Sequence, residues 1–223
     1  MRSNGRRVFW AAGLTVVLCF SAFGFNDGDF QYWTSAGASV KISKNWKAEF
    51  NEEFRFGNRA GNLYHHFSDL GFVYSGLADW IDIGLNYRQI FEKDDSTDRW
   101  YRENRPHANV TFKWKMWDLA LSDRNLFEYR DRENGKRLWR YKNKFTVKLP
   151  WKLTAWQLQP YVADEVFINL DDTHFGCNRI YAGVSTSITS NLDANIFYMR
   201  QSSRKASDYT DYNVFGTYFK FKF

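Results

Sequence analysis

The sequence has little cysteine, little proline and no long apolar run. Its 223 residues include only 2 Cys and 3 Pro, and its mean hydropathy is -0.58. A membrane-spanning helix needs about 20 consecutive, mostly apolar residues, so the chain is not a polytopic helical membrane protein. Disorder is disfavoured as well, because 44% of the residues are hydrophobic and 20% are aromatic. The fold must therefore keep many rings and many charges on separate surfaces.

The first 24 residues have the features of a secretory signal. Three arginines among the first seven residues precede an apolar run at 8–20, and the small residues Ala22 and Gly24 follow. This pattern predicts a signal peptide cleaved near Gly24, with an uncleaved anchor or a buried helix as the alternative. The segment contains no acids, so its removal lowers the net charge from +6 to +3. Nucleic acid is therefore not an expected partner, and the remaining Cys177 can form no intrachain disulfide.

After this leader the chain alternates between apolar and polar residues. In 46–56, for example, Phe50 and Phe54 share one face, while Glu49 and Glu53 share the other. The alternation recurs in segments of 12–17 residues along the rest of the chain. A period of two residues predicts β-strands with one apolar and one polar face. We therefore predict an all-β fold that occupies residues 25–223 as one domain.

The segment length distinguishes a membrane barrel from a soluble sandwich, which alternates in the same way. Strands of soluble sheets are typically about 5–6 residues long, whereas about 9–11 residues cross a bilayer at a tilt. Tryptophans also lie at segment ends, as in the aromatic girdles of outer-membrane barrels. The predicted girdle residues are Trp33, Trp46, Trp80, Trp100, Trp114, Trp117, Trp139 and Trp151. These features predict an antiparallel transmembrane β-barrel in the outer membrane of a Gram-negative bacterium.

The connections and the C-terminus support the same class. Short turns alternate with longer polar connections, which predicts short periplasmic turns and longer outer loops. The chain ends in an alternating run that contains Phe219, Phe221 and Phe223. This ending resembles the last-strand signal that the outer-membrane assembly machinery recognises. The expected partners are this machinery, outer-membrane lipid and lipopolysaccharide, and we expect a monomer.

The strand number follows less directly. The connections imply eleven segments, but bacterial single-chain barrels usually have an even number of strands. We predict twelve strands, through a split segment or an extra short strand within 25–31, and ten as the alternative. Glu52, Asp123 and Asn125 fall on the predicted lipid face, and bulges there would reset the register.

The inward face is predicted to be densely ionic, with more basic than acidic residues. The residues placed at its centre are Glu49, Glu53, Arg55, Arg88, Glu103, Arg105, His107, Glu128, Arg130, Arg140 and Lys142. Arg124, Lys144 and Lys148 belong to the same face outside that centre. Rings of Arg and Lys select anions, so one hypothesis is a narrow, anion-leaning channel for small solutes or acidic saccharides. The alternative is a closed structural or interaction barrel whose interior is filled by salt bridges.

Five stretches carry a family resemblance. They are AEFNEEFR at 48–55, ENRPH at 103–107, FEYRDR at 127–132, RYKNK at 140–144 and QPYVADE at 159–165. They resemble an uncharacterised bacterial family of small outer-membrane proteins, known as domain of unknown function 2490. The resemblance implies the barrel and its location, and it supplies no activity. The chain is more loosely similar to small oligogalacturonate-type channels, which have basic lumens for acidic sugars, but no site residue carries over.

A lipid-modifying outer-membrane enzyme is a third, weaker hypothesis. It needs a base that activates a nucleophile or a water molecule near a membrane interface. His107 is the best candidate, because it lies beside Glu103 and Arg105 on the inward face. No nucleophile is evident opposite it, and the adjacent His65 and His66 point to opposite faces, so they do not hold one metal together. We therefore expect no catalysis, no metal and no cofactor.

Overall fold

The structure is a computed structural model that describes residues 27–94, 97–171, 174–205 and 208–223. The predicted leader at 1–24 lies outside these residues, as does the start of the predicted barrel domain at 25–26. No helix within the described ranges is long and apolar enough to cross a membrane. The described residues form one closed sheet, which confirms the all-β barrel.

Eleven strands of 11–17 residues follow one another along the described chain, and consecutive strands pair with each other. They are β1 (Asp29–Lys41), β2 (Trp46–Gly57), β3 (Asn62–Ala78), β4 (Ile81–Lys93), β5 (Trp100–Met116), β6 (Leu119–Arg132), β7 (Arg137–Lys148), β8 (Gln159–Asn169), β9 (His174–Thr189), β10 (Leu192–Lys205) and β11 (Asp208–Lys222).

The barrel closes through a parallel pair, β1 and β11, whereas all the other pairs are antiparallel. The closing register runs from Asp29 opposite Tyr212 to Ser39 opposite Lys222. The predictions of twelve or ten strands are therefore wrong for the described chain, and residues 29–31 belong to β1 itself. The even-number expectation fails because a single parallel pair also leaves no strand edge exposed, and unpaired edges favour aggregation.

The connection lengths at the two ends of the barrel agree with the prediction only in part. We call the end that holds Phe223 the C-terminal rim, with connections 42–45, 79–80, 117–118, 149–158 and 190–191. The opposite rim has connections 58–61, 94–99, 133–136, 170–173 and 206–207. The segment 149–158 was expected to be a short turn but is the longest connection. Pro150 has no N–H for the sheet ladder, and a bridge between Leu153 and Leu158 closes the loop that follows.

Alternate residues of each strand face outward or into the lumen. On the outer surface Phe50, Leu70 and Leu85 are 44%, 56% and 63% exposed. On the other face of β2, Glu49 lines the interior. Most rings and most charges are therefore on separate surfaces, as predicted, although some rings, such as Trp33 and Phe67, lie in the lumen.

Polar residues on the outer surface remain there, and no bulge resets their register. Asp123 and Asn125 lie in an unshifted part of the β6–β7 ladder and form hydrogen bonds with each other and with Asn143. Glu52 also faces outward, 4.0 Å from Nδ1 of His66, and the β2–β3 register shifts only nearer the opposite rim. The bulges expected at these positions are absent from the described sheet. Asp123, Asn125 and Asn143 instead satisfy one another by hydrogen bonds, as polar groups away from water require.

One predicted girdle tryptophan is inside the barrel. Trp33 is only 5% exposed, and its Nε1 donates a hydrogen bond to Oε1 of Gln31 at 3.0 Å. Its neighbours Tyr32 and Thr34 face outward instead, where both bond to the hydroxyl of Thr217 in β11. The girdle prediction for Trp33 is wrong because the odd-numbered positions of this part of β1 face the lumen. The remaining seven lie on the outer side near a rim: Trp46, Trp80, Trp114, Trp117 and Trp151 at the C-terminal rim, and Trp100 and Trp139 at the opposite rim.

The C-terminal aromatics lie along the outer surface of β11. Phe219, Phe221 and Phe223 are all exposed. The backbone N–H of Phe223 donates to the carbonyl of Ser39 at 2.8 Å, and the N–H of Lys41 donates to the carbonyl of Phe223 at 3.1 Å. The end of the chain is thereby fastened to β1.

The parallel closure predicts a specific disulfide. Thr34 and Thr217 are direct partners with Oγ1 atoms 3.0 Å apart, and disulfide-bonded residues have Cα atoms about 4.4–6.8 Å apart. In a Cys177→Ser background, we expect Thr34→Cys with Thr217→Cys to cross-link under mild oxidation, detected as a mobility shift on a non-reducing gel. The control pair Thr34→Cys with Phe221→Cys is displaced by about 13 Å along the strand and should stay reduced. Equal behaviour of the two pairs would contradict this register.

Candidate functional site

The lumen contains a layer of ion pairs and, beside it, a cavity. We call Glu103, Arg105, Glu128, Arg130 and Arg140 the ionic layer. They occupy alternate inward positions of β5, β6 and β7, in the half of the barrel nearer the opposite rim. A cavity of about 510 Å³ lies beside the layer, and its wall includes Asp69, Lys142 and Arg179.

Glu103 is the centre of the first half of the ionic layer. Arg130 binds both of its oxygens, with Nη2 2.8 Å from Oε2, and Arg132 donates from Nε to Oε2 at 3.0 Å. Arg105 donates to Oε1. Two-point arginine–carboxylate pairs combine charge with fixed geometry and are strong. One buried carboxylate thus holds three guanidinium groups in place.

Glu128 plays the same part in the second half. Its side chain is fully buried, Arg140 contacts Oε1, and Nζ of Lys142 lies 3.5 Å from Oε2. Nη1 of Arg105 lies 3.8 Å from Oε1. Arg105 therefore connects the two carboxylates, and the layer is one continuous network.

A third buried carboxylate, Asp69 in β3, lies beside the layer. It accepts hydrogen bonds from Nε of Arg88 at 2.7 Å and from Nδ2 of Asn86 at 3.0 Å, and Nε2 of His107 lies 3.0 Å from it. Asp69 is not among the predicted central residues, although strand alternation points it inward. His107, the predicted candidate base, is thus part of an ion-pair cluster.

Aromatic rings interleave with the lumen arginines. Cζ of Arg55 lies 3.7 Å from the centre of the Trp33 ring, and Cζ of Arg179 lies 4.9 Å from the same ring. Arg179 and Arg140 also approach the Phe167 ring, at 4.6 Å and 5.1 Å. Desolvated cation–π contacts are worth about 2 kcal/mol each. Sequence reasoning misses these rings, because it assigns Trp33 to the outer surface and gives Phe167 no role.

Of the remaining predicted central residues, Lys142 contacts Glu128 of the layer, whereas those of β2 lie apart from it. Glu53 and Arg55 pair with each other at 2.6 Å, next to Trp33. Glu49 lies towards the C-terminal rim, where its Oε1 is 2.8 Å from Nζ of Lys220. The structure therefore distributes the predicted centre over the layer, the Asp69 cluster and the cavity wall.

The cavity wall carries more cations than carboxylates. The cations are Arg55, Arg88, Arg124, Lys142, Lys144, Lys148, Arg179 and Lys220, and the carboxylates are Glu49, Glu53, Asp69 and Glu165. Eight positive groups thus face four negative groups. The volume falls within the range of about 300–1,000 Å³ that is typical of small-molecule sites. The wall is therefore suited to a small anion.

Three of these cations, Arg124, Lys144 and Lys148, form no ion pair or hydrogen bond with another described side chain. Lys144 instead places Nζ 3.7 Å from the centre of the Tyr181 ring. All three lie outside the predicted centre, although alternation assigns them to the inner face. The sequence does not show which basic residues of the inner face pair with carboxylates. That pairing is seen only in the folded barrel.

A second cleft, of about 610 Å³, opens at the opposite rim. Its lining consists of Glu92, Lys93, Asp94, Tyr101, Arg102, Glu103, Arg132, Glu133 and Asn134. It shares none of these with the cavity, and Glu103 of the ionic layer is part of its lining. At its edge the backbone N–H of Arg102 and the guanidinium of Arg99, each 3.0 Å away, hold the pKa of Glu133 below its usual range.

The histidines of β3 lie on opposite sides of the barrel wall. His65 is buried in the lumen, whereas His66 packs against the outer rings of Phe91 and Trp100. Within the described ranges, no three His, Cys, Asp or Glu side chains form a group that could hold a metal ion.

Removal of one layer carboxylate should strongly destabilise the barrel. Glu128→Gln leaves Arg140 and Lys142 without their negative partner and leaves Arg105 with Glu103 alone. The loss of one member of a buried ion pair costs about 3–5 kcal/mol. Urea unfolding followed by tryptophan fluorescence measures the free energy of unfolding. The control Glu133→Gln removes an exposed carboxylate and should change little, because exposed pairs are screened by water and salt. Similar losses of unfolding free energy in both variants would contradict a specific stabilising role for the buried Glu128.

A protein-family model matches residues 30–213, more than four fifths of the chain, and its description is Protein of unknown function (DUF2490). The match begins in β1 and ends in β11, so it includes part or all of every strand. The family resemblance found in the sequence is thereby confirmed. A comparison with curated proteins gives no match.

Proposed function

The chain belongs to the family described as Protein of unknown function (DUF2490), and from that premise, which brings no activity with it, we propose a narrow, anion-leaning channel of the outer membrane. Its solutes are small anions, with acidic saccharides among them. The observation that carries the proposal is the excess of cations on the cavity wall.

The outer surface supports the membrane location. Large apolar side chains such as Leu70 and Leu85 are exposed around a closed sheet. In water such a surface would promote association, whereas in a bilayer it contacts lipid and the closed barrel satisfies its own backbone groups. Tryptophans near both rims match the aromatic girdles of this class. Lipid and lipopolysaccharide are the proposed surroundings of a monomeric barrel.

The two ends of the chain support the route to that membrane. The leader at 1–24 has the pattern of an export signal in a Gram-negative bacterium. The outward row of Phe219, Phe221 and Phe223 along β11 presents alternate aromatics that the outer-membrane assembly machinery would bind. In this arrangement the C-terminal rim faces the periplasm.

The ionic layer is the proposed barrier within the channel. The cavity and the opposite-rim cleft have no lining residue in common. In the proposed path, a solute passes Glu103, Arg105 and Glu128 to move between them. Arginine side chains have several rotatable bonds and can exchange a carboxylate for a passing anion. Anions would therefore cross more readily than cations, and the single-channel conductance would be small.

The second candidate is a closed structural or interaction barrel. It is favoured by the arginines that surround Glu103 and Glu128, since a fully paired network can fill an interior without any transport role. In that case the cavity would be a one-sided pocket. The two candidates differ in whether ions cross the ionic layer.

Planar-bilayer recordings distinguish them. We expect the purified protein to give small single-channel steps with a preference for anions. The triple variant Arg124→Gln, Lys144→Gln, Lys148→Gln lowers the excess of cations on the cavity wall from four to one, so the anion preference should fall. Lys222→Gln is the control, because Lys222 pairs with Asp193 at 2.8 Å and is not part of the cavity wall. The absence of steps in repeated insertions would reject the channel and leave the closed barrel.

A lipid-modifying activity is a third proposal of lower rank. Its only support is His107, which lies 3.0 Å from Asp69 in a histidine–carboxylate contact. If His107 were the base, His107→Ala would change the outer-membrane lipid composition of cells that express the protein, measured by mass spectrometry. We expect the composition to be unchanged, because the histidine lies within the ion-pair cluster of the lumen. A changed lipid composition would support the enzyme hypothesis instead.

A further inference from the structure

Two like charges lie directly opposite each other on the cavity wall. Arg124 of β6 and Lys144 of β7 are partners in the antiparallel register, and both side chains line the cavity. Direct partners have Cα atoms about 4.5–5.5 Å apart, and like charges at such positions destabilise a sheet. Arg88 and Arg105 are also direct partners, but each of them contacts a carboxylate. The Arg124–Lys144 pair therefore stands out as a positive site without its anion.

The nearest carboxylate is already occupied. Lys144 is in register with Glu165 of β8. Glu165 instead accepts a hydrogen bond from the hydroxyl of Tyr181 at 2.7 Å and from Nη1 of Arg179 at 3.4 Å. The ammonium of Lys144 rests over the Tyr181 ring, so its N–H donors are not used by an acid. The charge of Arg124 is likewise unmatched by a direct contact with a described carboxylate.

Neutral donors adjoin the two cations. Ser122 and Thr146 face each other one inward position nearer the C-terminal rim, and Lys148 follows one position further. All three line the cavity. The two hydroxyls form no hydrogen bond with a described side chain, so they are able to donate to a ligand. Two adjacent strands thus direct two cations and two hydroxyls into one space, with a third cation beside them.

We propose that Arg124, Lys144, Ser122 and Thr146 form a binding site for a phosphoryl group, as inorganic phosphate or a small phosphate monoester. A carboxylate brings one charge and two oxygens. A phosphate monoester brings about two charges and three strong acceptor oxygens, which match two cations and two hydroxyls. The planar guanidinium of Arg124 suits two-point binding of phosphate oxygens. The site rests on the proposed function in that its ligand would be a solute of the same lumen.

Isothermal titration of the refolded barrel in maltoside micelles with inorganic phosphate tests the site. We expect saturable binding that falls at least about tenfold in the double variant Arg124→Gln, Lys144→Gln, because hydrogen bonds to charged groups are the strong ones. The control Lys222→Gln should bind as the parent protein does. Acetate and galacturonate should bind at least about tenfold more weakly than phosphate, since each carries a single charge.

A second variant separates recognition from charge and from misfolding. Ser122→Ala with Thr146→Val keeps every charge, and it should weaken phosphate binding while leaving acetate binding unchanged. Heat-modifiable gel migration verifies that each variant folds. No saturable phosphate binding, equal binding of acetate, or an equal loss in Lys222→Gln would overturn the site.

The site and the channel can fail separately. A barrel that conducts anions but binds no phosphate would overturn the phosphoryl site and leave the channel. A barrel that binds phosphate but gives no conductance would reject the channel and keep the site as a pocket of a closed barrel.

Discussion

Buried carboxylates must be paired with buried cations, and this requirement organises the lumen. Glu103 and Glu128 are almost inaccessible to solvent, and each is surrounded by cations from neighbouring strands. Desolvating a charge is costly unless it is paired and hydrogen-bonded. Arg105 contacts both carboxylates, so the pairs form one network rather than separate bridges. The network lies on β5, β6 and β7, and the cavity lies beside it.

The same pairing requirement explains why the cavity wall has a net positive charge. The three arginines of the ionic layer contact its two glutamates, which offset most of their charge. The positive excess comes instead from Arg124, Lys144 and Lys148, which lie beyond the reach of those acids. Basic residues that look alike in the sequence therefore have two roles. Those beside a glutamate support the barrel, and those without one create an anion-attracting wall.

Strand alternation made much of the fold predictable. The segments that alternate apolar and polar residues are the strands, and the outer rings and inner charges separate as expected. Trp33 shows where alternation and position are not enough to predict a side chain's location. A tryptophan near a strand end can lie at the membrane interface, or it can lie in the lumen between two arginines, as Trp33 does. Glu52 and Asp123 are a second such case, because their outward position is tolerated only through cross-strand partners such as Asn143. In each case the deciding contact comes from a different strand.

The sequence by itself determined the period of two, the two chemically distinct surfaces and the family, because these depend on residue type and local spacing. Only the tertiary structure decided the number of strands in the ring, the parallel pairing of β1 with β11 and the division of the lumen cations into paired and unpaired sets. These properties depend on closure and on register between strands. A one-residue slip between two strands turns a side chain from one face to the other, and it would also separate an arginine from its glutamate.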